Sequence, residues 1–143
     1  QQEALRTKSF KALKGQRPWP AEGRIIAKFG RQWNSKLKTT TENPGIDIKG
    51  KPGSAIRSVL GGIVTTITYI RGYGTTLIID HGGGFYTVYS HVTNIQTSVD
   101  SQVRNGDIIA YMGDSGSING SKLHFEIWGK GQKLDPEKWL IKK

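Results

Sequence analysis

Runs of alternating apolar and polar residues, separated by glycine-rich turns, constrain the fold of this chain more than any other feature. Residues 62–70 are dense in the β-branched residues that favour strands, and Ile63, Thr65, Ile67 and Tyr69 would share one face of such a strand. Residues 75–80 and 85–90 continue the pattern, with glycines in the turns 71–74 and 82–84. Short strands at regular spacing, with no long helical pattern between them, predict an all-β domain, either an antiparallel sandwich or an open barrel.

The beginning of the chain differs from the rest because it is rich in helix-forming residues up to a glycine. We expect residues 1–15 to be a short N-terminal helix, the end of an upstream helical or coiled-coil segment, with a frayed terminal segment as the alternative. Residues 16–143 are predicted to form one domain, in which residues 24–29 are a strand and residues 30–42 a polar loop. Because the chain begins with glutamine and not methionine, we expect an excised fragment or a processed form.

Composition limits the chemistry that the domain can carry. The chain has 143 residues, no cysteine and three histidines, so any zinc site must use histidine and aspartate. The formal net charge is +10, but the basic residues are scattered and match no nucleic-acid-binding signature. We therefore expect a solvated basic surface near anionic cell wall or lipid, and no nucleic-acid partner.

Two short segments place charged and imidazole side chains in strand patterns. Asp47 lies between two isoleucines, and a carboxylate among apolar neighbours needs an ion pair, a hydrogen-bond network or a metal. Lys122, His124 and Glu126 alternate along a second predicted strand and therefore share one face. In the absence of a metal, we expect Asp47 to be a structural carboxylate that pairs with Lys122 or caps a turn. His124 would then be a core histidine satisfied by hydrogen bonds, or a residual metal ligand.

These segments resemble the His-x-Gly-x-Asp and His-x-His motifs of the LytM (M23) zinc peptidases, which cut peptidoglycan cross-bridges. The resemblance covers residues 19–140 and implies the LytM, or lysostaphin-like, all-β fold. It places Asp47 and His124 at two of the family's three metal ligands, and Asn43 at the third. Lys122 stands in the place of one catalytic histidine, and His91 matches the other.

The two departures from the family pattern predict a degenerate site. Asn43 offers a neutral amide oxygen, which is a poor zinc ligand, and the charge of Lys122 opposes a nearby Zn²⁺. We therefore expect no intact catalytic set and no cofactor, with Asp47 and His124 as residual candidates for metal binding. The alternative is a zinc metalloendopeptidase of peptidoglycan cross-bridges in which Asn43 is tolerated.

With these departures the chain resembles the murein hydrolase activators of the EnvC type, which are LytM domains without catalytic activity. The resemblance implies a periplasmic or cell-envelope protein that binds and activates an N-acetylmuramoyl-L-alanine amidase during cell-wall splitting and cell division. It also implies that the upstream segment links to a membrane division complex. A module that binds peptidoglycan in the same groove is a further alternative.

The partner is expected to bind in the groove that the family uses for its substrate. We predict that Trp33, His91 and Lys122 contact the partner there, and that residues 30–42, the hairpin near His81 and residues 114–121 form the rim. His81 follows a predicted strand and precedes three glycines, so we expect it to be an exposed turn residue.

Overall fold

The computed structural model describes residues 14–114 and 120–142, which form short strands and one 3-10 turn. In chain order the strands are β1 (Arg24–Ala27), β2 (Gly30–Asn34), β3 (Thr39–Asn43), β4 (Ile46–Lys49), β5 (Ala55–Arg57), β6 (Gly62–Ile70), β7 (Gly74–Gly82), β8 (Phe85–Ser90), β9 (Val92–Thr93), β10 (Gln102–Val103), β11 (Ile108–Met112), β12 (Lys122–Gly129) and β13 (Gln132–Leu134). The 3-10 turn, Pro136–Lys138, is capped by the carboxylate of Asp135. No helix within these ranges has the length and apolar character needed to cross a membrane.

The largest sheet has eight strands, and β12 lies at its centre. The strand order is β1-β4-β12-β8-β7-β6-β10, and β13 pairs with the later part of β12. One side of β12 pairs with β8, and the other side is shared between β4 and β13. Strand β12 therefore pairs with strands from distant parts of the chain.

A second sheet, ordered β5-β11-β9, shares its hydrophobic core with the large sheet. Ile56, Ile109 and Met112 of the second sheet belong to the same buried cluster as Leu77 and Phe125 of the large one. Every strand ladder within the described residues is antiparallel. The structure confirms the predicted all-β, antiparallel fold.

Alternation along β4 and β12 separates the core from the candidate site. The core-facing residues of these two strands are Ile46, Ile48, Leu123, Phe125 and Ile127. Asp47, Lys122, His124 and Glu126 occupy the intervening positions and therefore lie on the opposite face of the sheet. One face of the sheet builds the core, and the other holds the polar side chains.

The segment that was predicted to be a polar loop forms the hairpin β2–β3 instead. Gly30 pairs with Asn43 at its base, and Asn34 pairs with Thr39 near its tip. The prediction of a loop was wrong because every residue from 31 to 42 is exposed. Neither face of the hairpin packs on the core, so its sequence lacks the apolar alternation that marks a half-buried strand.

The predicted N-terminal helix and most of the predicted rim at 114–121 lie outside the described residues. Residues 15–17 are attached to the rest of the domain by hydrogen bonds. The amides of Gly15 and Arg17 each donate to the carbonyl of Trp139 at 3.1 Å, and Arg17 Nη1 donates to the carbonyl of Val59 at 2.9 Å.

His81 is fully buried, so the prediction of an exposed turn residue was wrong. Strand β7 extends past the predicted end and places His81 on the core-facing side. Its Nδ1 lies 2.8 Å from the carbonyl oxygen of Gly61, and its Nε2 lies 2.8 Å from Thr87 Oγ1. Thr87 donates in turn to the hydroxyl of Tyr89 at 2.9 Å. His81 therefore belongs to a polar network within the core and not to the candidate site.

Candidate functional site

The pairing of β4 with β12 brings the two predicted motifs together. The backbone register places His124 opposite Asp47 and Lys122 opposite Lys49. Lys122 Nζ lies 2.9 Å from Asp47 Oδ2, and His124 Nδ1 lies 2.6 Å from Asp47 Oδ1. Asp47 is thus bonded to its direct cross-strand neighbour and to its diagonal neighbour. Of the two arrangements expected for Asp47, a pair with Lys122 or a turn cap, the structure shows the pair.

The line of charges continues along β12 beyond His124. His124 Nε2 lies 2.7 Å from Glu126 Oε2, and Glu126 Oε1 accepts a hydrogen bond from Trp128 Nε1 at 2.7 Å. Lys133 Nζ lies 3.6 Å from Glu126 Oε1 at the exposed end. We call Lys122, Asp47, His124, Glu126 and Lys133 the charge network, because positive and negative groups alternate along it.

The contacts of His124 define its protonation state. Both ring nitrogens face oxygens of ionised carboxylates, which only accept hydrogen bonds. Two such acceptors favour the form in which both nitrogens donate, which is the imidazolium. Burial lowers the pKa of His124, but the hydrogen bonds to Asp47 and Glu126 outweigh burial and raise the pKa above its ordinary value.

The pKa values of the two carboxylates, Asp47 and Glu126, are lowered. Burial raises the pKa of Asp47, but hydrogen bonds from His124 and Lys122 outweigh burial and lower the pKa to about 2. Burial also raises the pKa of Glu126, and hydrogen bonds from His124 and Trp128 reverse the effect, so the pKa falls below its ordinary value. All three groups are therefore stabilised in their charged forms.

Tyr73 and His91 pack beside the charge network. The ring of Tyr73 lies 4.9 Å from that of His124 and 6.4 Å from that of His91, measured between centroids. His91 has a φ of 65°, which is uncommon for a residue other than glycine. Its amide donates to the carbonyl of Tyr73 at 2.8 Å, and its carbonyl accepts from the amide of Gly113 at 3.1 Å. The backbone of His91 therefore holds the turn that carries Tyr73 against His124.

An open cleft of about 370 Å³ lies over one end of the network. Its lining residues are Thr41, Glu42, Asn43, Pro44, Asp47, Gly72, Tyr73, His91, Lys122 and His124. All five positions that the family resemblance singles out, Asn43, Asp47, His91, Lys122 and His124, are among them. The structure therefore brings these five positions together around one concave surface.

The donor set of this cleft does not fit a zinc ion. The ammonium of Lys122 and the imidazolium of His124 already contact the two oxygens of Asp47. An imidazolium has no lone pair to offer a metal, and Asn43 Oδ1 accepts the amide hydrogen of Gly45 at 3.1 Å. Across residues 14–114 and 120–142, no group of three or more histidine, cysteine, aspartate or glutamate side chains is arranged to hold a metal.

Trp33 lies away from this cleft. It stands on β2, opposite Thr40, and lines a separate depression formed by the hairpin itself. Of the three predicted partner contacts, the structure brings Lys122 and His91 to the cleft and does not bring Trp33 there.

Sequence reasoning missed Tyr73 and underestimated Glu126. The only local signal for Tyr73 is an aromatic residue between two turn glycines, and its contact with His124 arises from distant pairing. Glu126 was expected at the sheet or its rim, but it is buried and holds the second nitrogen of His124. The alternation with Lys122 and His124 already placed Glu126 on the same face, but its bond to His124 also depends on the side-chain rotamers.

The fold and the site together define a class of protein. An antiparallel β domain carries an aspartate and a histidine on neighbouring strands at the base of an open cleft, in the arrangement of a LytM-type metallopeptidase. A lysine ammonium contacts the carboxylate that such a peptidase would use for its metal.

Comparison with known proteins agrees with this class. Residues 41–136 match the profile of Peptidase family M23, and the chain belongs to that family. The chain is 33% identical over 135 residues to the murein hydrolase activator EnvC of Escherichia coli (strain K12), covering 94% of this chain and 31% of that protein. It is 40% identical over 123 residues to the outer membrane antigenic lipoprotein B of Haemophilus influenzae, covering 85% of this chain and 28% of that protein.

A solved structure shows the same fold. A zinc-containing peptidase from Vibrio cholerae superposes with a TM-score of 0.79 at 22% identity, covering 90% of this chain and 41% of that one. The present chain spans less than a third of the length of the two sequence relatives.

Proposed function

We propose that this domain is a non-catalytic M23 domain that binds and activates an N-acetylmuramoyl-L-alanine amidase. The observation that carries the proposal is the ion pair of Lys122 with Asp47, together with the contacts of both ring nitrogens of His124 with carboxylates. Side chains held in this way do not present the ligands that a zinc ion needs to activate water. The name of the EnvC relative, a murein hydrolase activator, supports the activating role.

The cleft is the proposed docking surface for the amidase. It is concave and lined by strand residues, a shape that can receive a helix or an extended segment of a partner. Lys122 and His91 lie within it, while Thr41 and Glu42 form an exposed rim. The amidase would be held inactive by its own inhibitory helix, and this domain would bind the opened state. The domain can then shift the amidase toward its open state only by as much as it binds that state more tightly than the inhibited one.

The proposed setting is the cell envelope. The name of one relative, an outer membrane antigenic lipoprotein, supports this location. We further propose that residues 1–15 end an upstream helical segment linked to a membrane division complex, and that residues 16–143 form the domain that meets the amidase near peptidoglycan.

A matched pair of substitutions tests the docking surface. Thr41 and Thr39 are both exposed, lie on β3 and share one face, but only Thr41 lines the cleft. With purified amidase and dye-labelled sacculi, Thr41→Arg should reduce activation about tenfold or more, because a bulky cation blocks the cleft. Thr39→Arg should leave activation within about twofold of the wild type.

Two results would contradict the proposal in different ways. Equal activation by both variants would mean that the amidase docks elsewhere. Release of dye by the domain alone, abolished by a chelator, would instead support a zinc endopeptidase and overturn the non-catalytic assignment.

A further inference from the structure

The tip of the β2–β3 hairpin carries exposed apolar and cationic side chains that the proposed amidase contact does not use. Trp33 is 64% exposed, and Leu37 is 71% exposed. Three basic residues, Arg31, Lys36 and Lys38, flank them, and no acidic residue occurs from position 30 to position 41. Large apolar side chains grouped on the surface mark an interaction site more often than isolated ones do.

Hydrogen bonds within the hairpin order the tip in the absence of a partner. The side chain of Asn34 accepts hydrogen bonds from the amides of Lys36 and Leu37 at 3.0 and 3.1 Å, which fixes the turn. Lys38 takes a left-handed conformation, with a φ of 51°, and returns the chain into β3. Trp33 is held in a strand pair with Thr40. Little conformational entropy is therefore lost when the tip binds.

We propose that this tip is a peripheral membrane contact that binds the surface of an anionic phospholipid bilayer. Trp33 and Leu37 enter the boundary between headgroups and acyl chains, where an amphipathic indole is favoured. Arg31, Lys36 and Lys38 remain at the level of the lipid phosphates, where each basic residue adds to the attraction.

Charge and shape favour a bilayer over a protein as the occupant. The charged side chains of residues 30–41 are all positive, which complements a surface of uniform negative charge, and Glu42 lies opposite Arg31 at the base of the hairpin. Every residue from 31 to 42 is exposed, so the tip projects from the domain, and the depression that Trp33 and Leu37 line is open to solvent. A projecting tip can enter a deformable headgroup layer, whereas a specific protein interface needs closely complementary surfaces.

The test uses the whole chain and lipid vesicles. Co-sedimentation with phosphatidylglycerol–phosphatidylethanolamine vesicles should show binding that weakens with added salt, and phosphatidylcholine vesicles should bind less. The double variant Trp33→Ala/Leu37→Ala should lower the partition coefficient about tenfold or more, because the inserted apolar area is lost. Tyr69→Ala is the matched control, because Tyr69 is equally exposed, at 65%, on another strand.

A second measurement reports insertion directly. Lipids with brominated acyl chains should quench part of the tryptophan emission in the wild type. Trp33→Phe should keep most of the binding and lose that quenching, because the other three tryptophans are not placed at the tip.

Each outcome decides the proposal. Binding that requires the two apolar residues and is unaffected by Tyr69→Ala supports it. Absence of binding to anionic vesicles, or equal binding by the double variant, overturns it. If the double variant loses binding to isolated sacculi while vesicles are never bound, the tip recognises wall polymer and the lipid proposal is also overturned. None of these outcomes depends on amidase activation, so the two proposals fail separately.

Discussion

Replacing Asp47 by asparagine should destabilise the domain in a manner that depends on pH. The substitution keeps the shape of the side chain but removes the negative charge that lies between Lys122 and His124. Two positive groups are then left in a largely buried site without their shared counter-charge. Breaking a buried ion pair by removing one partner is strongly destabilising, because the other charge remains desolvated.

The magnitude follows from the pKa of Asp47. Its ordinary value is 3.8, and in the folded domain it is about 2. At about 1.4 kcal/mol for each pH unit, the ionised carboxylate stabilises the folded state at pH 7 by about 2 kcal/mol. A carboxyl group whose pKa is lowered by folding stabilises the protein above its unfolded pKa and ceases to do so as the pH falls through its folded pKa. The loss caused by Asp47→Asn should therefore decrease to about half by pH 3.

Urea denaturation followed by circular dichroism measures this effect. We expect the free energy of unfolding of Asp47→Asn to be about 2–4 kcal/mol lower than that of the wild type at pH 7. Asp114→Asn is the control, because Asp114 is exposed and lies outside the charge network. The double variant Asp47→Asn/Lys122→Met should recover part of the loss, since no ammonium then remains without its counter-charge. A difference below about 0.5 kcal/mol at pH 7, the level of an ordinary surface substitution, would refute the electrostatic reasoning.

Two further predictions concern the same site, and a third concerns the packing of Gly45 against β12. Folding raises the pKa of His124, so its contribution to stability is fully present below about pH 6.5 and is lost as the pH rises through the folded pKa. Stability should therefore be highest between about pH 5 and 6.5. In thermal melts, His124→Gln should abolish the decline in stability on the alkaline side. The double variant Asn43→His/Lys122→His should bind zinc at least about tenfold more tightly than the wild type, because it gains a ligand and loses the opposing charge, and unchanged affinity in calorimetry would show that these positions do not correspond to the family's metal site. Gly45→Ala should unfold the domain or destabilise it by about 3 kcal/mol or more in urea denaturation, because a Cβ there would overlap the backbone carbonyl of Phe125; a loss below about 1 kcal/mol would contradict that packing.

The residues of the charge network show how far the sequence could predict the site. The period of two along residues 122–126 places Lys122 and His124 on one face, and the apolar neighbours of Asp47 imply that it needs a partner. These local rules were enough to offer the pair of Asp47 with Lys122 as one of two alternatives, the other being a turn cap. They could not reveal that Glu126 and Asp47 both bond to His124, because that arrangement depends on strand register and side-chain rotamers.

Other elements could not be predicted because their signals are not local. The β2–β3 hairpin lacks apolar alternation, since neither of its faces is buried, and it was therefore predicted to be a loop. His81 precedes three glycines, and only the distant carbonyl of Gly61 and the hydroxyl of Thr87 make its burial favourable. Tyr73 reaches His124 because the backbone of His91 holds its turn.

Dye release from labelled sacculi tests the central claim most directly, namely that this is a degenerate M23 site whose domain acts through an amidase. The domain is incubated with sacculi alone, with added zinc, and with a purified N-acetylmuramoyl-L-alanine amidase that is inactive by itself. The account predicts no release by the domain with or without zinc, and strong release only when domain and amidase are combined. Release by the domain alone that a chelator abolishes, or no increase when the amidase is added, would contradict it.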